Sequence, residues 1–326
     1  MKIIVTGGAG FLGSHLCEKL IDEGHEVICI DNLITGSLKN IEHLKNNPNF
    51  KFIKQDVIQP ISMNKIATAT SWPRNDGGVI DQIYHLASPA SPNKNNPKSY
   101  ISFPFETMQV NTTGTWKLCE MAIKSDAKFL FASTSEIYGD PLEHPQKETY
   151  KGNVSTTGPR SVYDEAKRFG ETITSAFVRS KGLDGRIIRI FNTYGPGMAQ
   201  DGRVVIEFVK AALLGKPLPI FGDGKQTRSF CYVSDLVDGI IAAMEKGEKG
   251  EVYNLGNPDE FTILELAEKV KQLTNSKSEP QFVESLPEDD PKQRCPDITK
   301  AKEKLGWEPK VSLEKGLKKL IGYLKG

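Results

Sequence analysis

Apolar residues along this chain gather in short β-branched runs separated by helical patterns. The runs are Ile3-Ile4-Val5, Glu26-Val27-Ile28-Cys29-Ile30, Lys51-Phe52-Ile53, Gln82-Ile83-Tyr84-His85-Leu86, Lys128-Phe129-Leu130-Phe131-Ala132, Arg186-Ile187-Ile188-Arg189-Ile190 and Glu251-Val252-Tyr253-Asn254-Leu255. Strands that alternate with helices predict an α/β fold built on a doubly wound parallel sheet. Between residues 192 and 228, and again after 256, Gly and Pro become frequent and the apolar runs shorten, as in Lys216-Pro217-Leu218-Pro219-Ile220-Phe221-Gly222-Asp223-Gly224. Residues 1–191 and 229–255 are therefore expected to form the sheet domain, and 192–228 with 256–326 a smaller C-terminal lobe. Ligands in such sheets lie beyond the carboxyl ends of the strands, which places the expected site in the cleft between the two. No internal repeat or low-complexity segment interrupts the pattern; Glu288-Asp289-Asp290 and Lys315 to Lys319 read as a solvated loop and a solvated helix face.

The first run leads into Thr6-Gly7-Gly8-Ala9-Gly10-Phe11-Leu12-Gly13-Ser14-His15-Leu16. Gly8, Gly10 and Gly13 satisfy G-x-G-x-x-G, in which small residues permit a tight turn, close approach of a pyrophosphate to the backbone and close helix–strand packing. The phosphates then sit on a helix N-terminus. The second run ends in Asp31, whose carboxylate can accept hydrogen bonds from ribose hydroxyls and would repel a 2′-phosphate. A glycine turn followed by a chance surface acid is the plain alternative. Strand, turn, helix, strand and acid in that order favour a Rossmann dinucleotide site that takes NAD rather than NADP.

Composition narrows the partners. With 326 residues, 38% hydrophobic and 25% charged, the chain can bury a substantial core, and a net charge of +1 offers no electrostatic footprint for nucleic acid or an anionic membrane. Cys17, Cys29, Cys119, Cys231 and Cys295 are odd in number, scattered and never in C-x-x-C. That argues against a disulfide framework or a zinc site and fits reduced thiols in a cytoplasmic protein. No metal is expected. The initial apolar run is too short for a signal peptide or a membrane span.

Candidate catalytic residues follow the fifth run: Ser133-Thr134-Ser135-Glu136-Ile137-Tyr138-Gly139, then Tyr163-Asp164-Glu165-Ala166-Lys167. Tyr163 and Lys167 are four apart and share a helix face. A nearby ammonium stabilises a tyrosinate and is expected to lower the phenol toward a range useful for proton transfer. Alone, the pair would be an ordinary amphipathic face; the strand-end Thr134 and the glycine turn change that reading. Trp72, Trp116 and Trp307 read as packing residues, and His85 as a structural strand residue.

Together these residues resemble the extended short-chain dehydrogenase/reductase family over nearly the whole chain, with Thr134, Tyr163 and Lys167 matching its Ser/Thr, Tyr and Lys triad. Within it the chain most resembles the UDP-glucuronate decarboxylases. The matching stretches are His85-Leu86-Ala87-Ser88-Pro89-Ala90-Ser91-Pro92, Thr134 to Gln146, Arg189 to Pro196, Gly222 to Phe230, Asn254 to Pro258 and Arg294-Cys295-Pro296-Asp297-Ile298. The resemblance implies NAD-dependent decarboxylation of UDP-glucuronate to UDP-xylose through a 4-keto sugar, with hydride returned to C4. It implies that Thr134 holds the reacting oxygen, Lys167 tunes Tyr163, Ser135 and Glu136 act near C5, and Arg294 positions an acid or a proton-donating water. For the cofactor it implies Gly7, Gly8, Gly10, Phe11, Leu12, Gly13, Asp31, Asn32, Asp56, Val57, Leu86 and Ala87, with Tyr163 and Lys167. For the nucleotide sugar it implies Ser88, Pro89, Asn192, Arg203, Val204, Lys225, Gln226, Arg228 and Arg294, with Arg160 near the glucuronate carboxylate. A homodimer paired through two helices per subunit is also implied.

Ser135 stands where the related dehydratases carry an acid, and Glu136 stands where epimerases tend to carry a small or neutral residue. A UDP-sugar 4-epimerase or another 4-keto-sugar enzyme is the alternative, and a non-catalytic NAD-sensing protein is a third. The chain departs from the family in two places. Ile61 to Val79 looks longer and is expected to be a surface excursion. Asn93 to Gln109 is expected to border nicotinamide and sugar, yet lacks the family's aromatic residue after Ser-Pro-Ala-Ser-Pro and carries Tyr100-Ile101-Ser102-Phe103-Pro104-Phe105 as an insertion.

Overall fold

Ile3, Ile4 and Val5 are fully buried because strand β1 (Lys2–Thr6) has parallel neighbours on both edges and helices on both faces. The structure is a computed structural model that describes residues 1–61, 80–283 and 291–326. β1 is followed by helix α1 (Phe11–Asp22), strands β2 (Glu26–Asp31), β3 (Phe50–Lys54) and β4 (Gln82–His85), and helix α2 (Pro104–Gln109). A π turn at Val110–Gly114 joins α2 to α3 (Thr115–Ser125), and then come β5 (Lys128–Thr134), α4 (Ser161–Lys181) and β6 (Gly185–Ile190). These six strands and β11 (Val252–Leu255) form one seven-stranded sheet in the order β3-β2-β1-β4-β5-β6-β11, every pair parallel. The expected doubly wound sheet is thus present, and all seven apolar runs became its strands.

Alternation along each strand divides the apolar side chains between two layers. Ile3, Val5, Val27, Cys29 and Leu130 pack with α1 and with α6 (Val233–Lys246), whereas Ile4, Ile28, Ile83, Phe129 and Phe131 pack with α3 and α4. Parallel register aligns the carboxyl ends: Thr6 pairs with Ile30 and His85, and Thr134 with Ile190. Thr6, Asp31, His85 and Thr134 therefore lie along one edge of the sheet.

Between and after the sheet strands lie smaller pieces. β7 (Thr193–Tyr194) pairs with β10 (Cys231–Tyr232), and β9 (Thr227–Ser229) sits between β12 (Glu260–Thr262) and β14 (Gln293–Arg294). β8 (Leu218–Ile220) pairs with β13 (Pro280–Phe282). Helices α5 (Val204–Leu213), α7 (Ile263–Thr274) and α8 (Leu313–Lys325) cover them, α7 starting from a capping box between Thr262 and Glu265. A single apolar cluster runs from Ile3 through α5, α7 and α8 to Ile321, so the two parts of the chain share a core.

Of the expected packing residues, Trp307 is buried and its Nε1 donates to Asp235 O at 2.8 Å. Trp116 is half-exposed and meets Phe177 edge-on, a surface position rather than a core one. His85 is structural: Nδ1 lies 2.8 Å from Thr6 Oγ1, and burial lowers its pKa to about 3, with Lys167 adding to the effect, so the ring is neutral. Trp72, most of the Ile61 to Val79 stretch and the Glu288-Asp289-Asp290 loop lie outside the described residues.

Gly239 faces the Trp307 indole so closely that an added Cβ would come within 2.8 Å of it. Trp307→Ala should accordingly leave an unfilled cavity and lower the unfolding free energy by about 3–5 kcal/mol. Urea unfolding should show this as a lower midpoint at unchanged slope.

Candidate active site

A glycine turn leaves the carboxyl end of β1. Gly7 has φ +74°, and a Cβ there would lie 2.7 Å from Ala87 Cα, so only glycine lets the turn pass β4 at this distance. A Cβ on Gly13 would strike the Gly7 carbonyl, which accepts the Gly10 N–H at 3.0 Å. Helix α1 begins at Phe11 with no side-chain cap and no acid in its first turn, leaving its positive end to a ligand in the cleft. Gly8 points the other way: a Cβ there would meet Cys29 Sγ at 2.6 Å. It serves helix–sheet packing and does not line the cleft, contrary to its expected place among the cofactor contacts.

Asp31, at the carboxyl end of β2, accepts the Ala9 N–H at 3.0 Å and the Leu33 N–H at 2.8 Å. Burial raises its pKa while these two donors oppose the rise. A side chain at Gly36 would come within 3.0 Å of both carboxylate oxygens, so its absence keeps that side open. Asn32 Nδ2 donates to Asp56 Oδ2 at 2.8 Å, and both line the same groove as Phe11, Leu12, Val57, Leu86 and Ala87. An uncapped helix end, a glycine cradle and an acid at the end of β2 in one groove fit NAD.

The groove is one end of a single cleft of about 1260 Å³ that reaches Arg294. Thr134 ends β5, and its hydroxyl is hydrogen-bonded to Tyr163 in the first turn of α4. Lys167 Nζ, one turn on, donates to Ala132 O at 2.7 Å and sits 5.7 Å from the centre of the Tyr163 ring. The triad is assembled, but its electrostatics depart from expectation. Burial drives the Tyr163 phenol above its ordinary value, with Glu136 adding to the rise and the Thr134 hydrogen bond opposing it. Burial also lowers Lys167 to about 7. Desolvation penalises both charged forms, and the ammonium is directed at a carbonyl, so Lys167 does not depress the phenol here.

Beside the triad stands a buried charge cluster. Glu136 lies in the single turn after β5; Oε2 accepts from Arg160 Nη2 at 2.8 Å and from the Tyr100 hydroxyl at 3.2 Å, and Oε1 is 3.8 Å from Arg294 Nη1. Burial alone would raise its carboxyl, but Arg160, Arg294 and hydrogen bonds outweigh this and hold it below the usual carboxylate range. Tyr100 is the residue that sequence reasoning missed. Its ring stacks on Tyr163, centroids 4.8 Å apart and planes within 4°, so the inserted loop itself supplies an aromatic beside the triad. The available signal was one tyrosine followed by an apolar residue in a loop otherwise rich in Asn, Lys and Pro.

Ser135, Ser88, Pro89, Asn192, Arg203, Val204, Gln226 and Arg228 all line the cleft. Arg203 pairs with Asp201 at 2.8 Å, and Arg228 Nη2 donates to Pro291 O at 2.6 Å. Lys225 does not join them; it is exposed at a turn whose N–H is held by Asp223, which removes it from the expected substrate contacts. Outside the cleft, His144, Glu260 and Cys295 bring donor atoms within 4.8 Å of one another. His144 Nε2 already lies 2.8 Å from Glu260 Oε2, and burial pushes the Cys295 thiol up to about 12, so the group reads as a histidine–carboxylate hydrogen bond beside a protonated thiol.

The family model described as GDP-mannose 4,6 dehydratase matches residues 4–320. The chain is similar to UDP-glucuronic acid decarboxylase 1 of Arabidopsis thaliana, 51% identical over 98% of this chain and 69% of that protein. It is also similar to UDP-glucuronic acid decarboxylase 1 of Danio rerio, 48% identical over 99% and 72%. Among solved structures, UDP-glucuronic acid 4-epimerase from Bacillus cereus, in complex with UDP-glucuronic acid and NAD, superposes with a TM-score of 0.85 at 32% identity, covering 100% of this chain and 99% of that one.

The depressed Lys167 makes a prediction for pH. The folded state loses this proton near pH 7, the unfolded chain near 10.5, so between these values the unfolded state binds more protons and stability rises with pH. The rise is at most about 1.4 kcal/mol per unit. Urea unfolding from pH 7 to 9.5 should show wild type gaining on Lys167→Met; a difference that is flat or falls with pH would contradict the assignment.

Proposed function

The chain belongs to the GDP-mannose 4,6 dehydratase family, and from that premise and the cleft we propose that it is an NAD-dependent enzyme that decarboxylates UDP-glucuronate to UDP-xylose. The observation that carries this reading is the joining of the Thr134–Tyr163 hydrogen bond to the Arg160–Glu136–Arg294 cluster in one cleft. A phenol hydrogen-bonded to the strand-end threonine, in position to exchange a proton with a sugar hydroxyl, stands beside guanidiniums suited to a carboxylate. The decarboxylase names carried by relatives about half identical to this chain support the same reaction.

In this reading Thr134 holds the sugar 4-hydroxyl while Tyr163, as the phenolate, takes its proton; burial disfavours that form and the Thr134 hydrogen bond favours it. NAD, when bound, supplies the exchange of hydride with C4, outward at the start and back at the end. With a ketone at C4, the carboxylate on C5 is β to a carbonyl, so carbon dioxide leaves as the C5–C6 electron pair moves into an enolate. Arg160 and Arg294 position the carboxylate, Ser135 and Glu136 face the C5 side, and Tyr163 returns its proton to O4. Asn192, Arg203, Val204, Gln226 and Arg228, with Ser88 and Pro89, hold the UDP-sugar. The likeness to a UDP-glucuronic acid 4-epimerase favours the second reading, 4-epimerisation of the same substrate class; the buried, doubly paired Glu136 speaks for decarboxylation. The intact triad speaks against the NAD-sensing alternative.

The homodimer forms, in this proposal, through α3 and α4. Trp116 and Ile123, one heptad apart on α3, and Phe169 on α4 are exposed apolar residues, and Trp116 touches Phe177 of α4 across the helix pair. Five buried, unpaired cysteines support a reducing, cytoplasmic setting.

Incubation with UDP-glucuronate in deuterated water should yield UDP-xylose carrying one deuterium at C5, read by mass spectrometry. UDP-galacturonate without carbon dioxide would establish the epimerase reading instead. Tyr163→Phe should lower turnover by about 10²–10⁴ while NAD still binds; near-normal turnover would remove Tyr163 from the mechanism. Phe169→Glu combined with Trp116→Glu should shift sedimentation from dimer to monomer, and an unchanged sedimentation coefficient would refute this interface.

A further inference from the structure

Replacing a carboxylate by a hydrogen at C5 consumes one proton per turnover, and that proton must come from solvent into a cleft filled by substrate. Asp164, next to Tyr163 in the first turn of α4, is 5% exposed, and its Oδ1 has no hydrogen-bond partner among the described residues. Its carboxyl is hydrogen-bonded to Glu136. Asp164 also lines a second, smaller cavity of about 260 Å³ with Gly139, Asp140, Asn153, Val154 and Ser155. Of these, Asp140, Asn153 and Ser155 are exposed to solvent. Glu136 lines the substrate cleft and not this cavity; Asp164 lines this cavity and not the cleft. The hydrogen bond between the two carboxyls is thus a bridge between two spaces.

We propose that Asp164 relays the C5 proton from the smaller cavity to Glu136 in the substrate cleft. This assignment rests on the decarboxylase reading. Two carboxyl groups bonded to each other share one proton. Glu136 faces Arg160, Arg294 and the Tyr100 hydroxyl, so it is the ionised member. Asp164 feels the same two guanidiniums, but burial and the Glu136 charge dominate and push it up to about 8, so the proton rests on Asp164 at neutral pH. When carbon dioxide leaves, the C5–C6 pair becomes the enolate with its charge on O4. The proton on Asp164 passes to Glu136 and from there to C5, where the enolate pair forms the new C–H bond and the C4 carbonyl is restored. Asp164, left ionised, takes a proton from water in the smaller cavity. Tyr163 and Tyr100, the other titratable groups against Asp164, are raised above their ordinary range by burial, then by Glu136, and stay protonated through this exchange.

The test compares wild type, Asp164→Asn, Asp164→Glu and Val154→Phe, the last of which fills the smaller cavity without altering a carboxyl. With UDP-glucuronate in single turnover, wild type should release carbon dioxide and form UDP-xylose together. In Asp164→Asn and Val154→Phe carbon dioxide release should keep near its wild-type rate while UDP-xylose lags about 10²-fold, and Asp164→Glu should recover part of the loss. The wild-type rate of UDP-xylose formation should fall above about pH 8, and this fall should be absent in Asp164→Asn. If Asp164→Asn does not fold, the Val154→Phe lag and the wild-type pH profile decide the matter. UDP-xylose from wild type with both steps slowed equally, or neither slowed, in the foldable variants would overturn the relay alone. UDP-galacturonate from wild type would overturn the decarboxylase reading and the relay with it.

Discussion

A carboxylate buried at the end of a central strand costs several kcal/mol unless it is paired and hydrogen-bonded, and the pairing of Glu136 organises the whole cleft. Its four partners come from three distant places: Tyr100 from the loop after β4, Arg160 and Asp164 from the start of α4, and Arg294 from β14 near the end of the chain. Meeting one charge therefore draws the sheet edge, the helix that carries Tyr163 and the C-terminal part of the chain to one point. Removal of either guanidinium would leave a buried charge with half its compensation, which is costlier than removal of the carboxylate together with its partners.

The same burial shapes the triad. Tyr163 and Lys167 are both desolvated, so each is pushed toward its neutral form, the phenol upward and the ammonium down to about 7. Geometry rather than direct charge pairing joins them: Thr134 bonds the phenol, Ala132 O receives the ammonium, and Tyr100 stacks flat on the Tyr163 ring. The inserted loop that departs from the family pattern thus contributes to the site, because Tyr100 both stacks on Tyr163 and donates to Glu136. A loop of different length can deliver an aromatic ring to the same place, since what the site requires is the ring and hydroxyl in space, not their distance along the chain.

Local pattern was enough for the sheet and its ligand edge. Each apolar run is long enough to be a strand, and the glycine turn and Asp31 depend on backbone geometry within a few residues of β1 and β2, so they can be read from sequence. Tyr163 and Lys167 lie one helical turn apart, a relation that any helix enforces. Tertiary structure alone decided the rest. Gly8 faces Cys29 rather than the cleft because of how α1 packs on β2, and Lys225 is turned to solvent by its loop. Tyr100, the Glu136–Asp164 hydrogen bond and the two cavities it separates depend on segments that meet only after the chain has folded. The protonation states of Tyr163, Lys167 and Asp164 depend on burial, and burial is a property of everything packed around a residue; periodicity and motif spacing carry no record of it.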